Sequence, residues 1–251
     1  FELSSMEHHH ITAEHLSVGR VREILERRLP LALSDDARAR IVRCREYLDR
    51  KMENPERPIY GITTGFGSLC DISVGRDELS RLQQNLVMSH ACGTGERVPS
   101  EIVRLILLLK IQSLAYGHSG VQLATVERLI DFFNNDVLPV VYQQGSLGAS
   151  GDLAPLAHMA CVLIGEGQAK VDGKVVPGAE AMRSIGLQPF VLGPKEGLAL
   201  LNGTQVSTAL ALAGLFGAES VFAAALVAGC LSLEAIKGSV KPFDARIHEA
   251  R

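Results

Sequence analysis

The apolar positions of the chain fall mostly at helical spacing. Over about 11–28, Leu16, Val18, Val21, Ile24 and Leu25 share one side of an otherwise polar segment, which predicts an amphipathic helix. Ser34-Asp35-Asp36 is a helix start signal, and Ile41, Val42, Tyr47 and Leu48 give the inner face of a second helix over 37–51. A third is predicted over 76–89. Residues 101–116 and 121–135 are more evenly apolar and read as two helices parted by Gly117-His118-Ser119-Gly120. Leu138-Pro139-Val140-Val141 reads as a short extended run. Leu153, Leu156, Ala157, Ala160 and Leu163 mark a further helix, and 179–185 a short one. The one strong β signal is a pair of short alternating runs around Asp172-Gly173, which predicts a hairpin. From 205 to 237 nearly every residue is Ala, Leu or Val, giving one long or kinked helix. The pattern predicts a mainly α fold with one small β-hairpin.

Composition narrows the picture. The 251 residues suffice for a sizeable core or for part of a larger domain. A net charge of −3, with both signs scattered, gives no basic surface for nucleic acid or for a membrane. A membrane helix is the rival reading of the apolar stretch, since 197–218 carries no formal charge. It is set aside because Asn202, Thr204, Gln205, Ser207 and Thr208 crowd one end and Glu219 and Glu234 interrupt the run. A helix apolar all round also suits the centre of a large bundle or an oligomer interface. Cys44, Cys70, Cys92, Cys161 and Cys230 are odd in number and lack metal-ligand spacing. They read as reduced thiols of a cytoplasmic protein, without a signal peptide, disulfides or a metal. His8-His9-His10 reads as part of a flexible N-terminal tract, 1–10, or a cloning remnant.

Candidate chemistry centres on Gly145-Ser146-Leu147-Gly148-Ala149-Ser150-Gly151-Asp152-Leu153-Ala154-Pro155-Leu156-Ala157-His158. Three glycines and two serines in seven residues suit a tight turn. Asp152 then reads as an N-cap and loop brace, and Pro155 is tolerated only in a first helical turn. Ala149-Ser150-Gly151 therefore belongs at a helix N-terminus, where unpaired N–H groups and the helix dipole favour negative charge.

This stretch resembles the signature of the aromatic amino acid ammonia-lyases, the histidine/phenylalanine/tyrosine lyase family. The resemblance implies that Ala149-Ser150-Gly151 cyclises on itself: the nitrogen of Gly151 attacks the carbonyl carbon of Ala149, and two waters leave. The product is methylidene-imidazolone (MIO), a built-in electrophile that makes the substrate amine a better leaving group. No metal or soluble cofactor is implied.

Other segments extend the resemblance. Tyr60-Gly61-Ile62-Thr63-Thr64-Gly65-Phe66-Gly67 is similar to the family's active-site loop, which implies Tyr60 as the base for the β-proton. Ser89-His90 resembles the pair of the histidine lyases, where tyrosine and phenylalanine lyases carry an aromatic or His followed by Leu. It implies a substrate-binding pair that can hydrogen-bond an imidazole. In Lys195-Glu196-Gly197-Leu198-Ala199-Leu200-Leu201-Asn202-Gly203-Thr204, the resemblance gives Asn202 a contact to the MIO ring or to the substrate's amino-acid part. Gln122 and Tyr142 depart from the family pattern, which commonly has Arg and Pro there. The tail Lys241-Pro242-Phe243-Asp244-Ala245-Arg246-Ile247-His248-Glu249-Ala250-Arg251 again resembles the histidine lyases, in which the chain continues.

The resemblance thus implies an N-terminal portion of a helical-bundle ammonia-lyase, with a MIO-bearing domain over 11–203 and the start of the central bundle over 204–251. It further implies deamination of L-histidine to trans-urocanate and ammonia by a homotetramer. A tyrosine or phenylalanine lyase or aminomutase of the same family stays open, as does a non-catalytic assembly module.

Overall fold

A computed structural model describes residues 7–53, 59, 62, 78–148 and 150–250. It divides into two compact units, Phe1–Ala209 and Leu210–Arg251.

In the first unit, the predicted opening helix proves to be a strand and a shorter helix. β1 (His9–Ile11) precedes α1 (Val18–Glu26), and β2 (Leu31–Leu33) pairs with β1 in parallel, His9 opposite Leu31. Ser17 is the reason the helix starts late: its hydroxyl accepts from Arg20 N at 3.2 Å and caps the first turn. Residues 9 and 10, expected in a flexible tract, lie in the strand, where His9 Nδ1 accepts from Arg20 Nε at 3.2 Å. α2 (Asp35–Glu53) begins where its signal predicts, with Ser34 Oγ accepting from Ala37 N at 3.2 Å. The glycine loop 60–67, Tyr60 included, lies outside the described residues except for Ile62, which is buried.

α3 (Leu79–His90) is followed by β3 (Thr94–Arg97), α4 (Ser100–Ala115) and α5 (Leu123–Asn134). β4 (Leu138–Pro139) falls within the expected extended run, β5 (Tyr142–Gln144) comes just after it, and α6 (Leu153–Leu163) follows the glycine loop. β6 (Gln168–Val171) and β7 (Lys174–Pro177) make the predicted hairpin, with Asp172 and Gly173 at φ 47° and 78°, as a type I′ turn requires. The hairpin is not the whole of the β structure: β4 adds antiparallel to β6, and β5 pairs antiparallel with β3. Strands of two to four residues are too short for alternation to register as a pattern. α7 (Gly178–Ser184) leads to α8 (Glu196–Leu201), which no periodicity foretells.

The core sits among Ile106, Leu107, Leu108 and Ile111 of α4, Phe132 and Phe133 of α5, and Leu156, Met159 and Val162 of α6, all fully buried. α3, α6 and α8 pack on one another. α8 is anchored by Glu196, which is fully buried. One of its carboxylate oxygens accepts from Gln122 N at 2.9 Å and from the Thr125 hydroxyl, the other from Gln122 Nε2 and Gly193 N, each at 2.7 Å. Neutral donors thus satisfy a buried carboxylate, and Gln122, a departure from the family pattern, supplies two of them. At the next residue, Gly197 N donates to Gln83 Oε1 at 2.9 Å.

α9 (Gln205–Ala235) buries Val206 and Ala209, both in the first unit. The second unit comprises the rest of this helix, a 3-10 turn over Lys241–Phe243, and α10 (Ala245–Glu249), whose Asp244 cap accepts from Arg246 N at 3.0 Å. In this unit Val221, Phe222, Val227 and Leu231 are each at least 61% exposed. By length and composition alone, the segment Glu196–Ala235 could cross a membrane, with a mean hydropathy of 1.9 over an 18-residue window.

Candidate active site

The glycine loop before α6 is shaped by close approaches at both of its ends. A Cβ on Gly145 would lie 3.0 Å from Gly93 Cα and 3.3 Å from Ala154 Cβ. At the other end, Gly151 has φ 138° and is buried. A Cβ there would lie 2.8 Å from Asn202 Oδ1 and from Gly203 N, and 2.9 Å from Gly203 O. Only glycine fits both the backbone angle and the space. Ser150, the neighbour of Gly151, is exposed, and Ala149 lies outside the described residues.

Asp152 does not act as the predicted helix cap: at φ −86° and ψ 59° its side chain makes no capping bond to α6. It braces the loop instead. The carboxylate is 1% exposed. Oδ1 accepts from Ser146 Oγ at 3.0 Å and Ser207 Oγ at 2.7 Å, and Oδ2 from Ser207 N at 2.8 Å. The Asp152 amide donates to Gly203 O at 2.7 Å. One residue therefore ties the start of the loop, its end, the Asn202–Gly203 turn and the first turn of α9. The capping geometry is displaced because the three donors from Ser146 and Ser207 satisfy the carboxylate better than one orphan N–H would.

Asn202 stands at the C-terminus of α8 with an exposed side chain, and its amide donates to Leu198 O at 2.9 Å. Its carbonyl accepts from Lys110 Nζ at 3.0 Å. Lys110 is 1% exposed in the middle of α4, and burial pushes its ammonium down to about 7. Neither Lys110 nor Ser207 follows from a motif. For Lys110 a signal exists: it is the lone charge within Ile106–Ala115, an otherwise apolar run broken by two further polar residues, Gln112 and Ser113.

Ser89 and His90 end α3. Ser89 Oγ donates to Leu86 O at 3.0 Å, and His90 Nδ1 lies 2.9 Å from the same carbonyl. A carbonyl can only accept, so in the neutral ring Nδ1 carries the hydrogen and Nε2 is left as an acceptor. No direct hydrogen bond joins this pair to the glycine loop among the described residues. The link runs through the next turn: Gly93 N donates to His158 Nε2 of α6 at 2.9 Å. Burial holds His158 below the usual imidazole range, which keeps Nε2 free to accept. Tyr142, the second departure from the family pattern, packs edge-on against the His158 ring at 5.0 Å between centroids. Asn202 and Gly203 thus bound the space beside Gly151, Ser89 and His90 end a helix packed on α6 and α8, and Tyr60 lies outside the described residues.

A family model for aromatic amino acid lyases matches residues 16–251. The chain is 67% identical over 196 residues to the histidine ammonia-lyase of Paracidovorax citrulli, an overlap of 78% of this chain and 38% of that protein. Among solved structures it resembles the ergothionase of Treponema denticola with a TM-score of 0.92 at 28% identity, over 98% of this chain and 49% of that one. It resembles the histidine ammonia-lyase of Trypanosoma cruzi with a TM-score of 0.88 at 33% identity, over 96% and 46%. In each comparison the chain spans half or less of the relative's length. The fold, the glycine loop and the matched family pattern agree over almost the whole chain, which belongs to the aromatic amino acid lyase family.

Proposed function

We propose that this chain serves a histidine ammonia-lyase, which converts L-histidine to trans-urocanate and ammonia, and that Ala149, Ser150 and Gly151 form its MIO group. The observation that carries the reading is Gly151, held at φ 138° against Asn202 and Gly203 where no Cβ fits. That is the setting ring closure requires, because the nitrogen of Gly151 must fold back towards Ala149 in a backbone conformation closed to other residues. The exposed Ser150 stands just before α6, at the positive end of the helix dipole. The residues present therefore fit the group. When formed, it supplies an electrophilic carbon that activates the substrate amine as a leaving group.

The chain's own residues do the rest. His90 offers Nε2 as an acceptor to an N–H of the substrate ring, which imidazole has and a phenyl ring lacks. Ser89 lies beside it, and the Asn202 amide holds the prosthetic ring or the substrate carboxylate. Tyr60 takes the β-proton as general base. The working unit is a homotetramer in the cytoplasm, in which the apolar face of α9 is covered by protein and not by lipid. Small amino acids are its ligands; nucleic acid, membrane and soluble cofactors play no part.

Deamination of L-histidine, L-tyrosine and L-phenylalanine by the full gene product tests the substrate. Histidine is expected to be consumed, and turnover of tyrosine in its place would sink the assignment. His90→Leu removes the acceptor and is expected to lower kcat/KM for histidine about 10- to 100-fold, the equivalent of about 1–3 kcal/mol for a donor left unpaired in the site. Urocanate absorbance measures the loss.

A further inference from the structure

Lysine is almost never fully buried without a partner. Lys110 is 1% exposed, and among the described residues it forms no ion pair. Its hydrogen bond goes to the Asn202 carbonyl at 3.0 Å, across 92 residues of sequence, from the middle of α4 to the end of α8. That carbonyl is one of the orphan acceptors of a helix C-terminus, where a cation is also favoured by the dipole.

We propose that Lys110 is a positioning residue for ring closure at Ala149-Ser150-Gly151: from behind, it fixes the Asn202–Gly203 turn against which Gly151 is pressed. The proposal rests on the MIO reading above. Glu196 pins the N-terminal end of α8 through four donors, and Lys110 pins the C-terminal end. Between the Lys110 contact and Gly151 there is only the turn itself. Gly203 O accepts from Asp152 N at 2.7 Å, and Gly203 N stands 2.8 Å from where a Cβ of Gly151 would be. An apolar side chain of the same length would keep the packing in α4 but leave the carbonyl without its donor, and the peptide between Asn202 and Gly203 would be free to rotate. Burial depresses the Lys110 ammonium to about 7, a cost that packing alone does not call for.

In the step so positioned, the Gly151 nitrogen bonds to the Ala149 carbonyl carbon. The carbonyl oxygen leaves as water with the hydrogens of the Gly151 and Ser150 amides. The Ser150 hydroxyl leaves as a second water with the Ser150 α-hydrogen, giving the exocyclic methylene. No oxidant or reductant is needed.

The test uses the full gene product, wild type and Lys110→Met, with folded protein isolated by gel filtration at a fixed time after synthesis. The mass of the peptide containing residues 149–151 gives the converted fraction, and hydrogen exchange reports on the Asn202–Gly203 peptide and the Asp152 amide. The wild type is expected to be converted. In K110M the converted fraction falls at least tenfold per folded molecule while exchange at the turn speeds up, and Lys110→Gln, which keeps a neutral donor, recovers part of both. A K110M protein converted as fully as the wild type overturns the role of Lys110 and leaves the MIO reading standing. Failure of both variants to fold overturns it in favour of a purely structural lysine. A folded but unconverted wild type overturns the MIO reading first, and this role with it.

Discussion

Gly151→Ala is expected to leave the loop at its full mass and to lower lyase activity by roughly three orders of magnitude or more, since only binding and orientation then remain to assist the reaction. The reason is geometric. The new Cβ would stand 2.8 Å from Gly203 N and 2.9 Å from Gly203 O, which are backbone atoms that cannot swing aside as a flexible side chain can. The residue would also have to hold φ 138°, which costs an L residue about 1–3 kcal/mol. Both effects push Gly151 off the Asn202–Gly203 turn, and the proposed ring closure is expected to fail with it. Gly148→Ala is the matching control. It too has positive φ, 76°, but nothing lies within 4 Å of its Cβ, so a strain of about 1 kcal/mol is expected and conversion should persist. Peptide mass and urocanate formation, measured on both variants, separate the two cases.

Asp152→Ala is expected to cost about 3 kcal/mol and most of the conversion. The substitution leaves the Ser207 amide and the hydroxyls of Ser146 and Ser207 without the acceptor they share at 2.7–3.0 Å. It also cuts the loop from α9. For a unit of this size the loss corresponds to a fall in Tm of about 6–12 °C. Asp152→Asn is milder. Its Oδ1 can still accept from Ser207 N, and its Nδ2 can donate to either hydroxyl, so a cost of about 1 kcal/mol is expected. Thermal unfolding followed by circular dichroism distinguishes a brace of this kind from a helix cap. Loss of a cap costs about 1 kcal/mol and would make the alanine variant as mild as the asparagine one.

Much of this arrangement is legible from residue order. The long helices announce themselves by period and by caps such as Ser34, and α6 spans the range its apolar positions mark. Asp172-Gly173 locates the hairpin because few dipeptides tolerate two successive positive φ angles. Asn202 is found by resemblance, and the structure adds why its neighbour matters: Gly203 provides most of the wall facing Gly151. What stays hidden is what depends on partners far along the chain. β1, β3 and β5 are too short to carry a period and exist because another segment offers its edge. α8 is six residues long and is held by Gln83, Gln122 and Thr125, none of which is near it in sequence. Asp152 has the composition of a cap, but Ser207, 55 residues on, takes its carboxylate. The lone charge of Lys110 in an apolar run is visible, but its meaning appears only when the Asn202 carbonyl is found above it.

The most direct measurement is the mass of the peptide containing Ala149, Ser150 and Gly151 from folded wild-type protein. A peptide lighter than its sequence by two waters is the expected result, and it places the electrophile where Gly151 meets Asn202. A folded protein whose peptide keeps its full mass would contradict the proposed chemistry at this loop.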